Sequence, residues 1–188
     1  MTKSSKDARP AVRERLLEAA DRLFYEQGVR AVGIDRILAE ADAAKASLYS
    51  HFGCKDELVA AYVARRLEQS RTAIDRHVEA FPAEERALRF FDYVVEMTTQ
   101  PDFRGCPVQH LVGELADRDH PARQLAIAQR DWLIQRLTTW ARAAGAADPD
   151  RLGGALLALF DGAIAAAEQD GPQRARDARW AAQRLLAH

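Results

Sequence analysis

The chain has 188 residues, 48% of them apolar, enough to pack one large globular domain or a small one joined to a medium one. A net charge of −1 excludes blanket affinity for nucleic acid, and the polar amino terminus, which lacks an apolar core segment, excludes a secretory signal, so a cytoplasmic location is expected. Ala, Leu and Arg dominate, β-branched runs are scarce and no alternating strand pattern stands out, so the expected class is all-α.

The charge is uneven. Residues 1–55 carry ten Lys and Arg against eight Asp and Glu, while the remainder is acidic in balance. Lys3, Lys6, Arg9, Arg13 and Arg15 face only Asp7 and Glu14, which reads as a flexible basic arm able to meet phosphate or the minor groove. The alternative is a terminus that only aids solubility.

Residues 34–52 read IDRILAEADAAKASLYSHF. Ile34, Ile37, Leu38 and Ala41 share one face of a first helix, and Asp42, a residue that tolerates a left-handed backbone, interrupts it. A second short helix follows from Lys45 to Phe52, with Leu48 and Phe52 inward and Lys45, Ala46, Ser47, Tyr49, Ser50 and His51 largely elsewhere. Two short helices around a tight turn are a helix-turn-helix. The segment between Ala43 and Gly53 has no acidic residue, which suits the major groove, where phosphates repel carboxylates and small side chains allow close approach. The implied partner is double-stranded DNA.

Leu58, Val59, Tyr62, Val63 and Leu67 begin a long amphipathic run that extends to about Ala80 and stops at Pro82. A helix over about 83–99 points Leu88, Phe91, Val94, Val95 and Thr98 inward. Pro107 opens the next helix, with His110, Leu111 and Leu115 at helical spacing, and Asp119 and His120 before Pro121 open another that carries Leu125, Trp132, Leu133, Leu137 and Trp140 to about Gly145. Asp148 and Pro149 cap a helix with two adjacent apolar stripes, Leu152, Leu156, Leu159 and Ala163 beside Gly153, Leu157, Phe160 and Ile164. So wide an apolar surface belongs to a helix that is central or covered by another subunit. Its run GGALLALF, ended by Asp161, is far shorter than the ~20 residues of a membrane span, so no membrane partner is expected. A final helix over 174–187 adds Ala175, Ala178, Ala182 and Leu185.

Cys54 and Cys106 have no metal-ligand spacing, and neither a zinc site nor a structural disulfide is expected. Cys106, immediately before Pro107 at a helix start, is placed for a thiolate favoured by the helix dipole, or for a small buried thiol at a helix cap. Five histidines occur with no Gly-rich phosphate loop, no paired metal-ligand motif and no nucleophile elbow, so neither catalysis nor a cofactor is expected. The competing reading from another class is a helical protein-interaction module whose helix-turn-helix is incidental.

From Arg13 to Val63 the chain resembles the amino-terminal domain of the TetR family of bacterial transcriptional regulators. RERLLEAADRLFYEQG looks like the family's opening helix, with Leu16, Ala20, Leu23 and Phe24 facing the core and Gly28 as a left-handed cap. Lys45, Ala46, Ser47, Leu48, Tyr49, Ser50, His51 and Phe52 resemble the family's recognition pattern, and GCKDELV at 53–59 looks like the entry into its long fourth helix, where a Lys at the position of Lys55 meets phosphate. The chain departs from the pattern at Gly33, which offers no hydroxyl, at Asp42 in place of Gly in the turn, and at Ala44 in place of Ser. Base readout is then expected to lean on apolar contacts of Ala44 and Ala46 with thymine methyls.

The resemblance implies about nine helices, with a helix-turn-helix domain over 1–53 (motif about 33–52) and a ligand-binding and dimerisation domain over 54–188. It implies DNA contacts from Gly33, Ala44, Lys45, Ala46, Ser47, Tyr49, Ser50, His51 and Lys55, with Tyr49 and Lys55 on phosphates. It implies a homodimer through Leu152, Leu156, Leu159, Ala163, Ala178, Ala182 and Leu185, and a palindromic operator. A pocket for an unknown small-molecule effector is expected among Tyr62, Phe91, Met97, Cys106, Gln109, His110 and Trp132, and its occupation releases the DNA, which makes repression the default. A regulator of the same fold that senses thiol reagents or electrophiles through Cys106 is the alternative.

Overall fold

A computed structural model describes residues 10–187, which form nine α-helices and no strand. The roles considered for Lys3, Lys6 and Arg9 lie outside the described residues. Helix α1 (Val12–Gln27) buries Leu16, Leu17, Ala20, Leu23 and Phe24 against α2 (Ile34–Ala41), α3 (Lys45–Phe52) and the first half of α4 (Lys55–Val78). Together with Val32, Ile37, Leu48, Leu58 and Tyr62 they make one apolar cluster. Gly28 ends α1 with positive φ, as its type suggests, but at φ 84° and ψ 156° rather than in the left-handed helical region.

Helix α4 leaves this cluster between Leu67 and Ile74 and enters a second one. There it packs on α5 (Arg86–Thr98) and α7 (Pro121–Ala143), which with α8 (Pro149–Asp170) and α9 (Gln173–Leu186) surround Phe90, Phe91, Leu137, Trp140, Leu156 and Ile164. Short α6 (Pro107–Glu114) bridges the clusters, with Leu111 in the first and the preceding Cys106 packed on the second.

Helix boundaries follow local chemistry. Pro82 stops α4 from a distance: the chain leaves the helix at Glu79, and residues 82–85 make a turn closed by Glu85 N–H on the Pro82 carbonyl at 3.0 Å, which delays α5 to Arg86. Leu115 lies past the end of α6 in extended backbone. The Asp148 carboxylate accepts from Arg151 N–H at 3.1 Å and caps α8 as its sequence predicts. The backbones of α7 and α8 approach so closely at Gly153 that a Cβ there would collide with the Thr138 hydroxyl.

Among the described residues α8 alone is long and apolar enough, by length and composition, to cross a bilayer. The wider reach arises because Asp161 interrupts the apolar run without ending the helix. Leu156, Leu157, Ala163 and Ile164 are buried in the chain, whereas Ala155, Ala158, Gly162 and Ala165 are exposed.

Candidate nucleic-acid interface and central cavity

The turn between α2 and α3 holds Asp42 at φ 45° and ψ 60°. Arg15 fixes it from α1, its Nε donating to the Ala41 carbonyl at 3.0 Å and its Nη2 to that of Asp42 at 2.9 Å, which satisfies two carbonyls left over at the end of α2. The reading of Arg15 as part of a flexible arm is therefore corrected, because its guanidinium is a structural clamp. Arg13 is likewise engaged, its guanidinium 5.1 Å from the centre of the Phe52 ring.

Leu48 and Phe52 root α3 in the core. Burial of Leu48 alone contributes about 1.5–3 kcal/mol. Ala44, Lys45, Ala46, Tyr49, Ser50 and His51 are left exposed, with Ser47 half-buried. Gly33 and Ala44 are the amino-terminal caps of α2 and α3, both exposed and neither supplying a side-chain cap, so the first amides of both helices have no capping side chain. Lys45 lies 3.9 Å from Asp35, both side chains well exposed. Lys55 is placed differently from its expected role: its Nζ donates to the Val29 carbonyl at 2.7 Å, beside the Phe24 ring, and pins the start of α4 to the loop before α2. Arg36, which the sequence reading passed over, is exposed on the first turn of α2, with no hydrogen bond or ion pair to another described residue.

A cavity of about 270 Å³ opens between α4, α6, α7 and α8. Its wall is mostly apolar, with Leu67, Ile74, Val108, Val112, Leu133, Leu157 and Phe160; Gln109, Arg130 and Asp161 form one polar side, and Arg66, Ser70 and Gln129 add polar groups elsewhere on the wall. Gln109 Nε2 donates to Asp161 Oδ1 at 3.0 Å, and Arg130 Nη1 to Asp161 Oδ2 at 2.8 Å.

Of the seven residues expected to line a pocket, Cys106 and Gln109 do so. The other five are corrected. Tyr62 is core, its ring 5.4 Å from that of Phe24, and Phe91 is fully buried in the second cluster. Met97 packs on that cluster away from the cavity. His110 pairs with Glu168 at 2.8 Å, and Trp132 lies between the guanidinium groups of Arg71 and Arg136, at 5.2 and 5.6 Å. Arg130 and Asp161 were missed, although a carboxylate in the middle of an apolar helix was a visible signal.

Cys106 caps α6, but burial pushes its thiol pKa up and outweighs the backbone amides of Gln109 and Val108 that favour the thiolate. Of the two readings of Cys106, the raised pKa favours the small buried thiol at a helix cap over the dipole-activated thiolate.

The apolar helix faces also need correction. Leu156, Ala163, Ala178 and Ala182 are buried within their own chain and are not available to a partner. Leu152 and Leu159 are half-buried, and Leu185 is exposed. The outward face consists of Ala155, Ala158, Gly162 and Ala165 on α8 and of Leu185 with Trp180, 65% exposed, on α9.

Two hydrogen bonds tie the cavity side to the helix-turn-helix side. Glu114 Oε2 accepts from the Arg30 backbone N–H at 2.8 Å. Tyr25 Oη accepts from Arg104 N–H at 2.9 Å. His120, buried at the start of α7, adds none: its Nε2 lies 3.6 Å from Asp56 on α4, beyond hydrogen-bond reach, and has no hydrogen-bond partner among the described residues.

Residues 16–62 match the family described as bacterial regulatory proteins, tetR family. The chain is 34% identical over 124 residues to the HTH-type transcriptional regulator LmrA of Bacillus subtilis, a match covering 64% of this chain and 66% of that protein. It is 31% identical over 87 residues to the HTH-type transcriptional activator FasR of Mycolicibacterium smegmatis, covering 44% and 40%. The matches thus span just under two thirds of the first curated relative and less than half of the second. A crystal structure of a TetR-family transcriptional regulator from Streptomyces coelicolor superposes with a TM-score of 0.89 at 32% identity, covering 94% of each chain.

Proposed function

The chain belongs to the TetR family of DNA-binding transcriptional regulators, which are not enzymes, and from that membership we propose that it is a homodimeric repressor that leaves a palindromic operator when a small molecule occupies the cavity. The observation that carries DNA reading is the outer face of α3, which runs from Ala44 to His51 without a carboxylate and follows the turn that Arg15 clamps. Lys45, Ala46 and Ser47 are assigned to the bases, Tyr49 and the free amides after Gly33 and Ala44 to phosphates, and Ser50 and His51 to the flank. Exposed Arg36 is better placed than Lys55 for a further phosphate, because the Lys55 ammonium already serves Val29.

One helix-turn-helix reads too few base pairs to be selective, so two copies are needed. The outward small residues of α8 and exposed Trp180 and Leu185 of α9 support a two-fold interface there. That interface would also cover the apolar face of α8, and the protein would act in the cytoplasm, where the operator lies. Release follows from the position of α6, one end of which lines the cavity while Glu114 at the other holds the loop before α2. Sensing through Cys106 is disfavoured by its raised pKa.

The test is fluorescence anisotropy with DNA selected by the protein. Tyr49→Ala and Lys45→Glu should each weaken binding at least tenfold with helix content unchanged. Unchanged affinity in both would support the protein-interaction reading instead.

A further inference from the structure

We infer that the cavity takes an uncharged, compact and largely apolar molecule with one hydroxyl-like head group, which donates to the Gln109 carbonyl at the Asp161 side and accepts from the Gln129 amide. The inference rests on the reading of this cavity as the effector site, and it concerns which chemistry the site accepts.

The first argument is charge. The cationic and anionic groups at the wall are already paired: Arg130 with Asp161 at 2.8 Å, and Arg66 with Asp21 at 2.5 Å. A carboxylate ligand at the polar side would meet the like charge of Asp161, and an ammonium ligand that of Arg130. Either ion would also give up hydration beside a wall dominated by Leu133, Phe160 and other apolar side chains. A neutral molecule meets neither cost.

The second argument is hydrogen bonding. The carboxylate of Asp161 has no proton to give, so the group of Gln109 that faces it at 3.0 Å is the amide nitrogen, which fixes the orientation of that side chain. The Gln109 carbonyl is then an acceptor with no described partner, and Asp161 keeps spare lone pairs. On the other wall Gln129 accepts from Arg71 through Oε1 at 2.6 Å, so its amide N–H groups face the reverse need, for an acceptor. A hydroxyl both donates and accepts, and matches both requirements. The third argument is size: 270 Å³ falls just below the roughly 300–1,000 Å³ of ligand cavities, which favours a compact body over an extended one.

The test measures, by calorimetry at neutral pH, binding of naphthalene, a naphthol, the matching naphthoate and the matching naphthylmethylammonium to the full chain. The naphthol should bind at least tenfold more tightly than either ion and severalfold more tightly than naphthalene. Gln109→Leu should bring the naphthol down to the level of naphthalene, and Val112→Trp, which fills the cavity, should abolish binding of both. Circular dichroism verifies that each variant is folded, and if Val112→Trp is not, Ala126→Leu takes its place. Preference for either ion, equal binding of naphthol and naphthalene, or binding that survives the filled cavity overturns the inference. Titration of the DNA complex with the naphthol separates this from the effector reading: tight binding without DNA release defeats that reading and leaves the ligand class standing, whereas release by the naphthoate alone defeats the ligand class and leaves the effector reading standing.

Discussion

The Glu114 carboxylate at the end of α6 accepts a hydrogen bond from the backbone N–H of Arg30 at 2.8 Å, and it lies so close to Gly28 that a Cβ at that glycine would come within 2.8 Å of Oε1. A helix that lines the cavity therefore grips the loop from which the helix-turn-helix starts. Glu114→Ala should leave binding of a cavity ligand within about twofold of wild type while blunting the DNA release that the ligand causes. The two are measured separately, by calorimetry and by anisotropy. Full release in the variant would remove Glu114 from the coupling.

Lys55 and Arg36 should behave in opposite ways. Lys55→Ala loses a charged hydrogen bond to Val29, about 1 kcal/mol after allowance for partial exposure, so Tm should fall by about 2–4 °C with the salt dependence of DNA binding unchanged. Arg36→Ala should leave Tm unchanged and lower the slope of log affinity against log salt by about 0.9. A slope change at Lys55 alone would reverse the assignment.

Charge placed on α8 or α9 should separate the chain's core from its interface. Leu156→Asp puts an unpaired carboxylate at a fully buried position and should unfold the protein, at a cost of several kcal/mol. Trp180→Asp and Ala158→Asp, at exposed positions, should give folded monomers in sedimentation. Intact dimers in both would move the interface elsewhere.

Cys106 should resist alkylation at neutral pH, with exposed Cys54 reacting first. Because burial raises the folded-state pKa of Cys106 above the ordinary thiol value of 9.0, the folded chain holds that proton more tightly than the unfolded chain. The resulting stability is complete below about pH 9 and is lost as pH rises from there towards the folded value. In Cys106→Ser, urea melts at rising alkaline pH should show a smaller loss than in wild type. An equal loss would place the alkaline sensitivity at other groups, among them buried Tyr62, whose phenol is also raised.

The parts of the fold that depend on local chemistry were legible in the sequence. Asp42 marked the turn, Asp148 and Pro149 the start of α8, and Leu48 and Phe52 the inner face of α3. What was not legible depends on distant partners. The position of Lys55 fits a phosphate contact, and only the fold brings it to the Val29 carbonyl, as only the fold brings Arg15 to the end of α2. Periodicity showed that α8 is apolar on two faces but not which face its own chain covers, and so Leu156 and Ala163 were read as interface while Ala155 and Ala158 were not. The cavity was hardest, because aromatics at helical spacing suit a core and a pocket equally. Phe91 and Tyr62 went to the core, and the polar group came from Asp161, in the middle of an apolar run.

Selection of bound sequences from a random DNA pool by the purified chain tests the central claim most directly, because DNA reading and two-fold pairing must both hold for it to succeed. The account predicts a consensus of two inverted half-sites, lost from the pool selected by Tyr49→Ala. A pool without enrichment, or a single asymmetric site selected equally well by Trp180→Asp, would contradict it.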